Sequence, residues 1–204
     1  MAIVVIGGHS RNVGKTSVVA GLIAALPEYR WTAAKITQYG HGVCSLDGES
    51  CHCATDDHSW AISEETDRSG KSDTSRFLIA GAARVWWVRT EQGRLAEAMP
   101  ELRKRLAEAE NVILESNSVV QFLRPEVYLT VLDPATADFK KSAQQFLDRA
   151  DAVVVHTGED AEKRAWQGVS LKPASGRPVF YIRPPEYVTT EMVEFVKRKL
   201  GSGN

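Results

Sequence analysis

Cysteine is scarce in this chain: only three of 204 residues, all between positions 44 and 53. A disulfide framework spreads its cysteines along a chain, so in a reducing compartment this cluster reads as a ligand set instead. Charge of one sign is also missing. The 25 Lys and Arg residues stand against 26 Asp and Glu, a formal net charge of −1. That balance supplies no bulk field drawing the chain to nucleic acid or to an anionic membrane. No apolar run approaches the length of a membrane span, and no basic segment precedes the short apolar run at the N-terminus. A cytoplasmic protein is therefore expected. Hydrophobic residues make up 43% of the chain, enough for one well-buried core and a single domain.

The first 26 residues carry the strongest signal. The apolar run Ile3-Val4-Val5-Ile6 predicts a buried strand, and Val18, Val19, Leu22, Ile23 and Leu26 recur at helical spacing. Between them stands Gly14-Lys15-Thr16, at the point where the helix begins. A strand, a tight loop and a helix in this order form the context of a phosphate-binding loop. The first N–H groups of a helix have no internal partner, and the helix dipole adds positive character there, so an anion is favoured. Asn12, Val13, Gly14, Lys15, Thr16 and Ser17 are the expected nucleotide-binding residues. Lys15 would meet the β- and γ-phosphates of GTP or ATP, and Thr16 would help hold Mg²⁺. One departure stands out: in the pattern G-x-x-x-x-G-K-[ST] the first glycine falls on His9.

Further along, strands are expected at Trp31–Ile36, Val85–Val88, Asn111–Glu115, Val127–Asp133, Asp151–Thr157 and Pro178–Arg183. Ser72 or Asp73 is placed to cap a helix running to Gly81, and Leu95, Met99, Leu102 and Leu106 predict another, kinked or restarted at Pro100. Phe139, Ala143, Phe146, Leu147 and Ala150 mark one more helix face, and a final helix starts near Glu191 and ends before Gly201. Residues 40–71 are polar and lack apolar periodicity, so they are expected to form a long functional loop, a Cys/His-rich insertion in the domain. Alternating strands and helices imply an α/β fold: three layers, with a mainly parallel sheet of about seven strands.

In such a sheet ligands sit at the carboxyl ends of the strands. Glu115 ends a fully apolar strand and would lie near Thr16, where it would manage Mg²⁺ or orient a nucleophile. Lys35, Asp73 and Arg76 are weaker candidates for the same site. The run from Gly70 to Ala82, with Asp73-Thr74 followed by Ala80-Gly81-Ala82, resembles the K-D-[ST]-x-x-x-x-x-A-G-A stretch of molybdopterin-guanine dinucleotide biosynthesis protein B. Gly14-Lys15-Thr16, Lys35 with the following His41, and Glu115 agree with that family in order over roughly the first 120 residues. The resemblance implies a small P-loop GTP-binding protein with Lys15, Asp73 and Glu115 at the reacting phosphate and Thr16 and Glu115 at Mg²⁺. It implies an accessory role in cofactor biosynthesis, molybdenum cofactor included, with a small-molecule or protein partner there. Two features depart from the family: Ser116-Asn117 after the strand-end glutamate, and the Cys-rich insertion. The wider resemblance is to dethiobiotin synthetase and MinD-like ATPases, a class in which homodimers are common.

Cys44, Cys51, Cys53 and His58, with His41 and His52 nearby, match the ligand set of a tetrahedral zinc site; an iron–sulfur cluster is the less favoured alternative. Asp56 and Asp57 would alternatively serve the Mg²⁺ of the nucleotide. Where G-proteins carry Asn-Lys-x-Asp, this chain reads His156-Thr157-Gly158-Glu159-Asp160, so the base is not specified; Arg183-Pro184-Pro185 would line its pocket on topology alone. Trp86 and Trp87 are expected to pack in the core or an interface. Three functions follow from these residues: a Mg²⁺-dependent NTPase with slow hydrolysis, a nucleotide-switched metal-binding adaptor, and a carboxylate-activating synthetase.

Overall fold

A computed structural model describes residues 1–39, 59–157, 166 and 168–201. The opening run forms β1 (Ala2–Gly8), and α1 (Lys15–Ala25) follows after the glycine-containing loop. Next come β2 (Trp31–Tyr39), β3 (Trp60–Glu64), α2 (Asp73–Ile79), β4 (Arg84–Glu91) and α3 (Leu95–Leu106). The second half contributes β5 (Asn111–Glu115), β6 (Val127–Leu132), α4 (Lys141–Gln145), β7 (Ala152–His156), β8 (Val179–Ile182) and α5 (Thr190–Gly201). All eight strands join one sheet in the order β3-β4-β2-β5-β1-β6-β7-β8. Every neighbouring pair is parallel except β3 with β4. This is the expected three-layer α/β architecture.

Alternation along β1 shows why its run is apolar throughout. Val4 and Ile6 face one core with Val19, Leu22 and Ile23 of α1, Phe77 of α2 and Phe195 of α5. Val5 faces the other, with Leu95, Met99 and Leu102 of α3 and the ring of Tyr128. A strand covered by helices on both faces has no polar side to show, so the period-2 pattern disappears. Among the described residues no helix is long and apolar enough to cross a membrane.

The structure differs from the sequence reading in three places. Residues 60–64, expected within the polar loop, form β3. It is a five-residue edge strand whose Trp60 and Ile62 pack on the α3 side, while Ala61 and Ser63 take the other face. Three consecutive apolar residues followed by two polar ones give little periodic signal, and an antiparallel edge needs no crossover helix to announce it. Pro100 does not restart α3, which runs through it from Leu95 to Leu106. Buried Leu95, Ala98, Met99, Leu102 and Leu106 hold both halves on the sheet. The helix expected over Phe139–Ala150 is split into α4 and a 3-10 turn at Leu147–Arg149. Phe146 and Ala150 belong to the α3-side core, whereas Leu147 and Phe139 pack with Trp166 in a separate cluster, and one helix face cannot serve both. The α2 expectation is met: Ser72 caps it, its hydroxyl accepting from Ser75 N–H in a reciprocal capping box.

Proline in a helix interior removes one backbone hydrogen bond and costs about 3 kcal/mol relative to alanine. Because α3 is continuous and Pro100 is exposed, Pro100→Ala is expected to stabilise the protein by about 1–3 kcal/mol. Urea denaturation measures this; an unchanged or lower midpoint would show that the proline terminates a turn that needs it.

Candidate functional site

Glu115 ends β5 and is paired in register with Ile6 of β1 and Lys35 of β2, so three neighbouring strands deliver their carboxyl ends to one place. The α1 N-terminus points there too. Gly14 is its N-cap at φ 83°, a left-handed conformation that glycine accepts without strain. No side chain caps the helix and no acidic residue stands in its first turn. Its leading N–H groups therefore remain available to an anion.

The sequence-selected residues come together as follows. Thr16 donates its hydroxyl to Glu115 Oε2 at 2.8 Å. Glu115 Oε1 accepts from Lys35 Nζ at 3.1 Å, and Lys35 also pairs with Asp73 at the start of α2. Arg76, one turn along α2, donates to Ser17 Oγ at 2.9 Å and lies 3.9 Å from Asp73. Lys15 Nζ donates to the Ser10 carbonyl at 2.6 Å. Asn12 has φ 56°, and Val13 is buried. Cys44, Cys51, Cys53 and His58 lie outside the described residues, as do His41, His52, Asp56 and Asp57. Trp86 is buried in the α3-side core, as expected, with the Arg105 guanidinium 4.5 Å above its ring; Trp87 is half-buried.

The electrostatics follow from burial. Desolvation pushes the Lys15 ammonium down to about 8, against a partial lift from Glu115, and its hydrogen-bond partner among the described residues is a neutral carbonyl. Desolvation also opposes the charge on Lys35, but Glu115 and Asp73 outweigh it and hold its pKa above the ordinary lysine value. Lys140, just before α4, is within electrostatic reach of Lys15, Lys35 and Glu115, and burial lowers its pKa.

Several neighbours of the loop were not legible as site residues. His9, where the pattern has glycine, is fully buried: its Nε2 accepts from Asp133 N–H at 3.0 Å, so Nδ1 carries the proton and donates to the Asp138 carbonyl at 2.7 Å. Its ring packs between Phe139 and Trp166, with centroids 5.1 and 5.0 Å away, and burial lowers its pKa. Asn117 clamps Gly8 from both sides, accepting from its N–H at 2.8 Å and donating to its carbonyl at 2.9 Å. The Ser116-Asn117 departure noted in the sequence was the available signal for this clamp. His156 Nε2 donates to the Val13 carbonyl at 3.0 Å, and Tyr187 packs against that ring beside Gly14. A Cβ on Gly14 would stand 2.6 Å from Tyr187 Cε1, so this glycine is required twice.

The depressed Lys15 pKa is also a stability statement. Below pH 8 both folded and unfolded chains keep the proton, and the folded state bears the full desolvation cost. Between about 8 and 10.5 the folded chain releases it first and the cost fades. Lys15→Met is therefore expected to be about 1–3 kcal/mol more stable than the parent at pH 7 without nucleotide. The difference should vanish by about pH 10.5. Urea titrations at several pH values test this, and a variant no more stable than the parent at pH 7 refutes it.

No protein-family model and no curated protein matches the chain. Solved structures do. HypB, a hydrogenase maturation factor from Archaeoglobus fulgidus, aligns at a TM-score of 0.53 and 12% identity, over 98% of this chain and 90% of its own. LpxK from Aquifex aeolicus, in complex with ATP, aligns at 0.51 and 18%, over 89% of this chain. The chain spans about half of LpxK, 53% of its length. MobB from Bacillus subtilis aligns at 0.43 and 14%, over 98% of both chains. At these identities the likeness is one of fold: the chain has the P-loop NTPase fold.

Proposed function

We propose that this chain is a Mg²⁺-dependent nucleoside-triphosphatase, one P-loop domain that binds GTP or ATP and hydrolyses it slowly. The observation carrying the proposal is the Thr16–Glu115–Lys35–Asp73 network set at the uncapped start of α1. An open helix N-terminus is suited to phosphate, and the desolvated charge of Lys15 would be stabilised when phosphate oxygens replace the Ser10 carbonyl.

Thr16 and Glu115 offer a hydroxyl and a carboxylate 2.8 Å apart. Mg²⁺ takes hard oxygen donors and commonly uses one or two carboxylates together with substrate phosphates, so the donor set fits. These two residues would hold the ion, which supplies charge neutralisation at the phosphates when bound. Lys15 binds the β- and γ-phosphates. Lys35 offsets the Glu115 charge with an ion pair at 3.1 Å. Asp73, the more exposed of the two acids at 43% against 6% for Glu115, is the carboxylate placed to orient a water or an acceptor group. The resemblance to molybdopterin-guanine dinucleotide biosynthesis protein B supports an accessory role in cofactor biosynthesis.

Lys15→Ala is expected to lower nucleotide affinity at least 100-fold by calorimetric titration, since a phosphate-neutralising charge is lost without replacement; retained affinity rejects the P-loop assignment. The Cys44, Cys51, Cys53 and His58 set remains the proposed zinc site. Elemental analysis should give about one zinc per chain, lost in Cys51→Ser. Unchanged metal content in that variant, or no zinc in the parent, rejects the site.

A further inference from the structure

The phosphate-loop side of the sheet does not end at Lys35. Register pairs Ser63 with Trp87, Trp87 with Lys35 and Lys35 with Glu115, one transverse row across β3, β4, β2 and β5. Residues paired across strands share a face, and residues two apart along a strand do as well. Arg89 of β4, paired with Thr37 and Ala61, therefore lies on the face that carries Lys35. Val85, two residues before Trp87, packs with Phe77 of α2 in the core on that side. Asp73, at the α2 N-terminus, reaches only as far as Lys35. Trp87 and Arg89, both half-buried, follow in the direction of the carboxyl ends.

Among the described residues, Arg89 is held in place without being neutralised. Trp87 Nε1 donates to Thr37 Oγ1 at 3.1 Å, which fixes the ring, and the Arg89 guanidinium lies 4.5 Å from that ring's centroid. Its one hydrogen bond among the described residues is a long one, Nη2 to Ser63 Oγ at 3.4 Å. Its Nε is buried with no partner, and no carboxylate pairs with it among the described residues. A buried donor left unsatisfied is costly, the more so on a charged group. A guanidinium presents a planar fork of donors that matches a carboxylate or a phosphate.

We infer that Trp87, Arg89, Thr37 and Ser63 form the binding site for a second, anionic small molecule. Its carboxylate or phosphate sits on Arg89, and its other end lies along the sheet toward Lys35 and the phosphate loop. This rests on the nucleotide reading for what the second molecule meets there, but not for the site itself. With strands about 4.8 Å apart and about 3.3 Å per residue, Arg89 stands roughly 8 Å from Lys35 along the sheet. That is the span of a small metabolite with an acid at one end. It bears on the synthetase alternative, because an acid-bearing molecule held there would lie beside the reacting phosphate.

The test uses the full chain loaded with Mg²⁺ and a non-hydrolysable nucleoside triphosphate, into which inorganic phosphate and, separately, acetate are titrated by calorimetry. One of the two is expected to bind saturably at one site per chain, identifying the acid group as phosphate or carboxylate. Arg89→Met should weaken it at least tenfold with nucleotide affinity unchanged, and Arg89→Lys several-fold, keeping the charge but losing the fork. If Arg89→Met does not fold, Arg89→Lys decides. No saturable binding of either anion, or equal binding by the arginine variants, overturns the site. If the parent binds no nucleotide, the same titrations are run on Lys15→Met. Saturable binding there that is lost in Lys15→Met/Arg89→Met retains the second site while the nucleotide reading fails; its absence overturns both.

Discussion

The Lys35 ammonium, set between Glu115 and Asp73, is the interaction on which the site depends. Glu115 is almost fully buried, and an unpaired carboxylate taken that far from water costs several kcal/mol. Two groups meet that cost, the Thr16 hydroxyl on one oxygen and Lys35 on the other. Because Thr16 begins α1, Glu115 ends β5, Lys35 stands on β2 and Asp73 opens α2, the charge balance also fixes where four elements meet. Arg76 closes the circuit by reaching back from α2 to Ser17, the residue after Thr16. The position of the phosphate loop is thus tied to an ionic network that no single element could supply.

The loop is also held from outside. Asn117 pairs with both backbone groups of Gly8, His156 holds the Val13 carbonyl, and His9 anchors the other flank to the segment between β6 and α4. Each contact takes up a backbone or ring polar group that would otherwise be orphaned in a partly buried loop. The ring of His9 does what glycine could not. It fills the space between Phe139 and Trp166 and spends both nitrogens on backbone partners, so neither is left for chemistry. A histidine beside a phosphate loop invites a catalytic role; here its hydrogen bonds assign it a structural one.

Much of this architecture was legible in the residues. The fully apolar β1 run, the helical spacing after Gly14-Lys15-Thr16 and the acid ending β5 led to a mainly parallel α/β sheet with a glycine-containing loop before α1, because each is a local pattern with one physical reading. By themselves Lys35, Asp73 and Arg76 read as isolated charged residues, and the family resemblance drew Lys35 and Asp73 more firmly to the site, since what joins them is register between β2 and β5 and the start of α2. Asn117, His156 and Tyr187 reach the loop from more than 100 residues away, and no spacing rule links them to it. β3 escaped for the opposite reason: as a short antiparallel edge, its half-exposed residues need no distinctive pattern to pair.

The distribution of charge supports the polyanion proposed for this site. The groups that act on Lys15 are two lysines, Lys35 and Lys140, and two acids, Glu115 and Asp73, so three ammonium groups stand against two carboxylates. The α1 dipole adds further positive character at the same point. Burial, ahead of the neighbouring charges, holds the Lys15 and Lys140 pKa values below the ordinary lysine value. Lys35 alone is raised, because both carboxylates belong to it. The arrangement therefore separates two tasks: Lys35 is ion-paired with both acids, and Lys15 and Lys140 carry positive charge that burial disfavours and an incoming anion would offset.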